Sequence, residues 1–227
     1  MSEPRIDRDG DVWVLDLGDD ENRFNPDWLA TVGDLLDQAI AAPTPRALVT
    51  TATGKFFSNG LDLEWLGQNT GRVDEYVAQV HDLLARFLTA PLPTVAAIQG
   101  HAFAAGAMLS LAHDWRVMRV DRGYWCLPEA DINIPFTLGM DALITAKLPA
   151  ATAPDAMVGA RRFGGEDAVA AGIVAEAVPE DRVRAAAVER AGAHAGKEGA
   201  TLGTIKARMY ASAVAALRDR EGNRLGA

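Results

Sequence analysis

The run GHAFAAGA, residues 100–107, constrains this chain most: four of its eight residues are alanine and two are glycine. It follows an apolar segment of strand character, TVAAIQG, and opens a short helical segment that ends near His113. At a strand–turn–helix junction the first helical N–H groups lack intrahelical acceptors and point outward. Backbone this bare admits close approach by a ligand. Tight helix packing accounts for the same composition.

A second junction of this kind is FFSNGLDL, residues 56–63, read as a loop after the buried strand RALVTTA. If the two junctions face one another, two backbone N–H groups converge on one oxygen, the geometry of an oxyanion hole.

Around these junctions, short apolar runs alternate with amphipathic stripes. Ile6 and VWVLDL flank Asp9-Gly10 and read as a hairpin. Asn25 is placed as an N-cap and Pro26 at the first helical position. Trp28, Leu29, Val32, Leu35, Leu36 and Ala39 then recur at helical spacing. A second stripe runs over 73–88, and DWRVMRV with YWCL reads as another hairpin across Asp121-Arg122-Gly123. Helices are expected over 138–148, 152–158, 166–171, 181–195 and 201–217. This order predicts one α/β domain with a helical C-terminal tail. Its core spans 1–190 and its tail 191–227.

The 227 residues suffice for one sizeable core, and a net charge of −9 without a basic stripe argues against nucleic acid and anionic lipid as partners. The polar N-terminus has no apolar signal core, and no run reaches the length of a membrane span, which places the chain in the cytoplasm. A single cysteine, Cys126, excludes an internal disulfide framework and a multi-cysteine metal site. No metal site is expected. His101 and His113, lacking ligand partners at useful spacing, read as structural, and Cys126 as packing.

KFFSNGLDL, PLPTVAAIQGHAFAAGAMLSLAHDWRVM, LPEADINI and RRFGGEDAVAAGIVAEAVPED together resemble the enoyl-CoA hydratase/isomerase (crotonase) superfamily, in consistent order over roughly residues 10–190. The resemblance implies a spiral of ββα turns with a helical C-terminal region that packs in a trimer or dimer of trimers and covers the CoA site. It implies an acyl-CoA substrate whose thioester enolate is stabilised, with coenzyme A as part of the substrate and no separate cofactor. Carried over by position, the oxyanion donors are the N–H groups of Leu61 and Ala105, and Gly60 and Gly106 leave room for the thioester. Ser58 in the first loop joins the substrate-binding set.

The acids select the reaction. Hydratases of this family carry two glutamates. At one of those positions this chain has Met108, and at the other, in the PE pair, Glu129. A single carboxylate moves one proton between two carbons, so the motifs resemble one-glutamate Δ3,Δ2-enoyl-CoA isomerases. Apolar neighbours (Leu127, Ile132, Ile134 and Trp65) are expected to raise the pKa of Glu129. Asp131, two residues along an extended segment, shares that side but is left out of the catalytic set. Thr137 stands where dienoyl-CoA isomerases place a further acid, and its hydroxyl is a poor base. Arg23, Phe24, Lys55, Lys206 and Arg208 are candidate CoA contacts, the last two toward this or a neighbouring subunit's nucleotide; a solvated surface accounts equally well for each of the basic residues. Alternatives are another enolate reaction, such as thioester hydrolysis, and a non-catalytic acyl-CoA-binding paralogue.

Overall fold

The computed structural model describes residues 3–224, so the extreme ends of the core and tail assignments lie outside the described residues. A hairpin of β1 (Arg5–Asp9) and β2 (Val12–Asp16) leads to helix α1 (Pro26–Ala41). Then come β3 (Ala47–Thr51), β4 (Phe56–Ser58), α2 (Leu63–Gln68) and α3 (Val73–Leu88). β5 (Thr94–Ile98), β6 (His101–Phe103), α4 (Ala105–Leu111), β7 (Trp115–Arg119) and β8 (Trp125–Cys126) follow. α5 (Glu129–Ile132), α6 (Leu138–Lys147), α7 (Gly165–Ala170), β9 (Glu176–Val178), α8 (Glu180–Gly192), α9 (Gly199–Met209) and α10 (Ala211–Arg218) complete the chain.

Two sheets result. The larger has the order β1-β2-β3-β5-β7-β9, and the smaller β4-β6-β8. Among the described residues, β1–β2 is the one antiparallel strand pair, and an isolated antiparallel bridge joins Trp125 to Phe163. The central strands β3 and β5 are buried along their whole length, as parallel strands covered on both faces must be. Their period of two divides the larger sheet between two cores. Leu48, Ala96, Ile98 and Met118 face the main core with α1, α3 and α4. Val12, Val49, Val95, Ala97 and Val117 face a second core closed by Val183, Ala187 and Ala191 of α8. Helix α8 runs through position 190, where the sequence reading ends the core.

Asn25 caps α1 as expected: its side chain accepts the Trp28 N–H at 2.9 Å. Three expectations need correction. DWRVMRV and YWCL do not pair: β7 belongs to the larger sheet, and β8 pairs in parallel with β6 in the smaller one. Gly123, at φ +93°, takes the chain between sheets so close to Gly100 that a Cβ there would lie 2.8 Å from the Gly100 carbonyl carbon. Strand spacing marks each segment but not which sheet it joins. The loop after β3 contains β4 and leads into α2, which is capped by Asp62 accepting the Trp65 N–H at 3.0 Å. The helix expected over 201–217 is two helices that meet at Tyr210 (φ −110°, ψ 19°). The bend lays α10 against α6, where a Cβ on Gly139 would be 2.7 Å from the Leu217 Cα.

Candidate active site

The smaller sheet builds the site. Its three strands are parallel, so their C-terminal ends share one edge. β4 leads to the turn at Gly60 and Leu61, β6 to Ala104 and Ala105, and β8 to Glu129. Neighbouring parallel strands lie ~4.8 Å apart, so the three exits fall within roughly 10 Å across the sheet.

Both candidate donor peptides are held from their carbonyl side. In a trans peptide the C=O and the N–H point opposite ways. Gly60 O accepts the Phe24 N–H at 2.9 Å, which aims the Leu61 N–H of the same peptide away from Phe24. Ala104 O accepts the Met108 N–H at 3.0 Å as the first bond of α4, so the Ala105 N–H points out of the helix start. Among the described residues neither of these two N–H groups has a backbone acceptor. The loops themselves touch: a Cβ on Gly60, whose φ is +79°, would sit 2.8 Å from the Ala105 nitrogen. A Cβ on Gly106 would sit 2.4 Å from Ser58 O, so α4 packs directly on β4.

Glu129 is buried, and its Oε2 has no hydrogen-bond partner among the described residues. Burial, unopposed by any cation, pushes its pKa up to about 7. It opens on a cleft of about 590 Å³ lined by Ile134, Phe136, Thr137, Leu138 and Met157 among others. Of the neighbours expected around it, Ile134 lines this cleft. Ile132 is exposed, and Trp65 packs instead on Tyr76 at 5.1 Å between ring centroids. Asp131 does not share the site, because Glu129–Ile132 is a helical turn, ended by Asn133 at φ +56°, and Asp131 faces solvent. Met108 lies wholly inside the main core. Thr137 caps α6, and its hydroxyl oxygen is 2.9 Å from His81 Nε2.

Other expected contacts fall elsewhere. Ser58 is fully buried: its hydroxyl donates to Asn22 O at 2.8 Å and accepts the Gly60 N–H at 3.1 Å, so it braces the loop. The Phe24 ring is buried and stacked on Trp28 at 4.5 Å, so it is a core side chain rather than a ligand contact. Arg23 pairs with Glu21 and lines a separate cleft of about 640 Å³ that also includes Asp62, next to Leu61. Lys55 precedes β4 at the end of the small sheet remote from the donors, with its ammonium 5.1 Å from the Phe56 ring centroid. Lys206 is buried, donating to Leu92 O at 2.8 Å and to Asp114 at 2.6 Å, so it holds α9 to the core. Arg208 is exposed on the same helix.

Asn22 escaped the sequence reading. Buried at φ +49°, it donates from Nδ2 to Phe56 O at 3.2 Å and to Phe57 O at 3.1 Å, tying the segment between β2 and α1 to β4. An asparagine in a polar run looks like any turn residue, so no local signal marked it. Of the residues expected to be structural, His113 is wholly buried between Leu109 O and the Thr50 hydroxyl, and desolvation pushes its pKa down to about 3. Cys126 is buried with its thiol raised to about 11 by desolvation.

A family model described as enoyl-CoA hydratase/isomerase matches residues 9–223. The chain belongs to that family. Enoyl-CoA delta isomerase 3 of Arabidopsis thaliana is 42% identical over 177 residues, which is 74% of this chain and 74% of the relative. The peroxisomal enoyl-CoA delta isomerase 2 of the same plant is 42% identical over 178 residues, again 74% of each chain. A solved structure of the Mycobacterium tuberculosis enoyl-CoA isomerase superposes with a TM-score of 0.88 at 28% identity, covering 96% of this family member and 95% of that chain. The fold is therefore the crotonase fold that the four motifs implied, with its helical C-terminal region. No helix among the described residues is long and apolar enough to cross a membrane. One relative being peroxisomal, the similarity lends no support to the cytoplasmic expectation.

Proposed function

We propose that this chain is a Δ3,Δ2-enoyl-CoA isomerase that works with one glutamate. The observation that carries the reading is the buried Glu129, whose Oε2 has no hydrogen-bond partner among the described residues, at the sheet edge from which the Leu61 and Ala105 loops also leave. As carboxylate, Glu129 removes a C2 proton from a 3-enoyl thioester. The electron pair of that C–H bond forms C1=C2, and the carbonyl π pair moves to oxygen, giving a dienolate held by the two N–H groups. The carbonyl then re-forms, C2=C3 replaces C3=C4, and protonated Glu129 delivers the proton to C4. Substrate and product are isomers, so no co-reactant enters. A base with a pKa near 7 is matched to this exchange at neutral pH.

Hydration would need a second acid to activate water, and the position where hydratases of the family carry it is the thioether of Met108, sealed in the core. The names of the Arabidopsis relatives support the isomerase reading. The acyl-CoA nucleotide is assigned to the cleft beside Arg23 and Asp62, on the flank of the Leu61 loop. A homotrimer or dimer of trimers is the proposed assembly, and the exposed Ile205 and Met209 of α9 support a contact between copies there.

The test is incubation with a 3-enoyl-CoA beside a 2-enoyl-CoA control. Appearance of the conjugated thioester in the first, without 3-hydroxyacyl-CoA in the second, is the expected result. Hydration without isomerisation would overturn the reading.

A further inference from the structure

Among the described residues, Tyr76 is the one residue of α3 whose side chain is hydrogen-bonded to the first donor loop. Its ring is buried against Trp65, and its hydroxyl is the group that meets two main-chain segments at once. It donates to Phe24 O, and its oxygen accepts the Asp62 N–H at 3.0 Å. Leu61 lies between the two peptides these contacts concern. The Gly60–Leu61 peptide, which carries the Leu61 N–H, is anchored through its carbonyl by the Phe24 N–H at 2.9 Å. The Leu61–Asp62 peptide is anchored through its N–H by the tyrosine oxygen. The same hydroxyl grips Phe24 on its carbonyl side, so the segment that aims the donor peptide is itself tied to α3.

We infer that Tyr76 is a positioning residue for the reaction: it fixes both flanks of Leu61 so that its N–H stays directed at the thioester oxygen. The inference rests on the oxyanion reading above. The geometry explains why a side chain is needed here. Gly60 is in the left-handed region, and glycine's freedom leaves the turn free to rotate unless its neighbours are held. The Asn59 N–H to Glu21 O bond, 2.8 Å, holds the turn before Gly60, and Tyr76 holds it after Leu61. Burial raises the pKa of the phenol, so it stays protonated and keeps both its donor and its acceptor role at any pH where the protein works. A tyrosine kept only for its bulk would have no need of either bond.

The experiment compares wild type with Tyr76→Phe, which retains the ring. Turnover is followed on a 3-enoyl-CoA. The stretching band of the bound carbonyl is recorded by isotope-edited infrared spectroscopy with hexanoyl-CoA labelled with carbon-13 at the thioester. The expected result is a kcat lower by about tenfold or more, with KM and hexanoyl-CoA affinity little changed. The carbonyl band, displaced to lower frequency in wild type, should return toward its position in free thioester. A variant with wild-type band and wild-type kcat overturns the positioning role while leaving the oxyanion reading intact. A wild-type protein that does not displace the band at all overturns the oxyanion reading, and the role of Tyr76 with it. Should Tyr76→Phe fail to fold, 3-fluorotyrosine at this position keeps ring and hydroxyl but weakens acceptance of the Asp62 N–H. The band is then expected to shift part of the way back, and an unmoved band overturns the inference.

Discussion

Gly60 packs so tightly on the Ala105 amide that a Cβ on the glycine would lie 2.8 Å from that nitrogen, with Phe103 O at 3.0 Å. These neighbours are backbone and have no flexible end to swing away. At φ +79° the position is also strained for any L side chain. Gly60→Ala is therefore expected to part the two loops and cost one donor, a loss of ~10²-fold or more in kcat. Steady-state turnover of a 3-enoyl-CoA checks this, with a thermal melt showing that the fold persists. Full activity would mean that the two loops do not form the site.

Glu129→Gln keeps shape and removes the base. Isomerisation should fall to background while acyl-CoA affinity is retained, as measured by calorimetry on the same preparation. Turnover near that of wild type would remove Glu129 from the mechanism.

The pH dependence follows from the same group. Its folded pKa is about 7 against an ordinary 4.5, raised by burial. Activity requires the carboxylate, so kcat/KM is expected to climb through an apparent pKa near 7 and to be lost as pH falls through it. Stability runs the other way. Between 4.5 and about 7 the folded chain holds a proton that the unfolded chain has released, so this group's contribution declines as pH rises through that window. The decline is at most ~3 kcal/mol. Denaturant titrations at pH 5 and pH 8 should show a smaller fall for Glu129→Gln than for wild type.

Lys206→Ala separates fold from ligand binding. It removes the ammonium that sits 2.6 Å from the Asp114 carboxylate beneath α9, leaving that carboxylate with the Thr94 N–H and hydroxyl. Breaking a buried pair costs ~3–5 kcal/mol, which for a domain of this size is a fall in Tm of roughly 10 °C. Affinity for acyl-CoA below the melting range should stay at the wild-type value. A selective loss of affinity with an unchanged Tm would restore Lys206 as a nucleotide contact.

Ala104 adopts φ +50° and ψ −125°, a conformation hostile to a side chain, just before the second donor. Ala104→Gly should relieve that strain and stabilise the fold by ~1 kcal/mol, with turnover preserved. Chemical denaturation checks it, and a destabilised variant would show that the methyl's packing outweighs the strain.

Local residue identity showed bare backbone at two junctions, GHAFAAGA and FFSNGLDL, which helix packing accounts for equally well; the resemblance of the four motifs is what singled out Glu129 in LPEADINI as the candidate acid. The hairpin at Gly10 and the cap at Asn25 were legible because both depend on neighbours in the chain. What tertiary structure alone decided was assembly across the chain. YWCL has strand character in any context, yet only its pairing with β6 carries Glu129 to the edge shared with the donors. A lysine on an exposed-looking helix proved to be buried because Asp114 and Leu92 O meet it there, and Tyr210 bends the tail with no glycine or proline to mark the spot. Spacing along the chain encodes which face a residue presents. Which distant segment meets that face is a property of the packed whole.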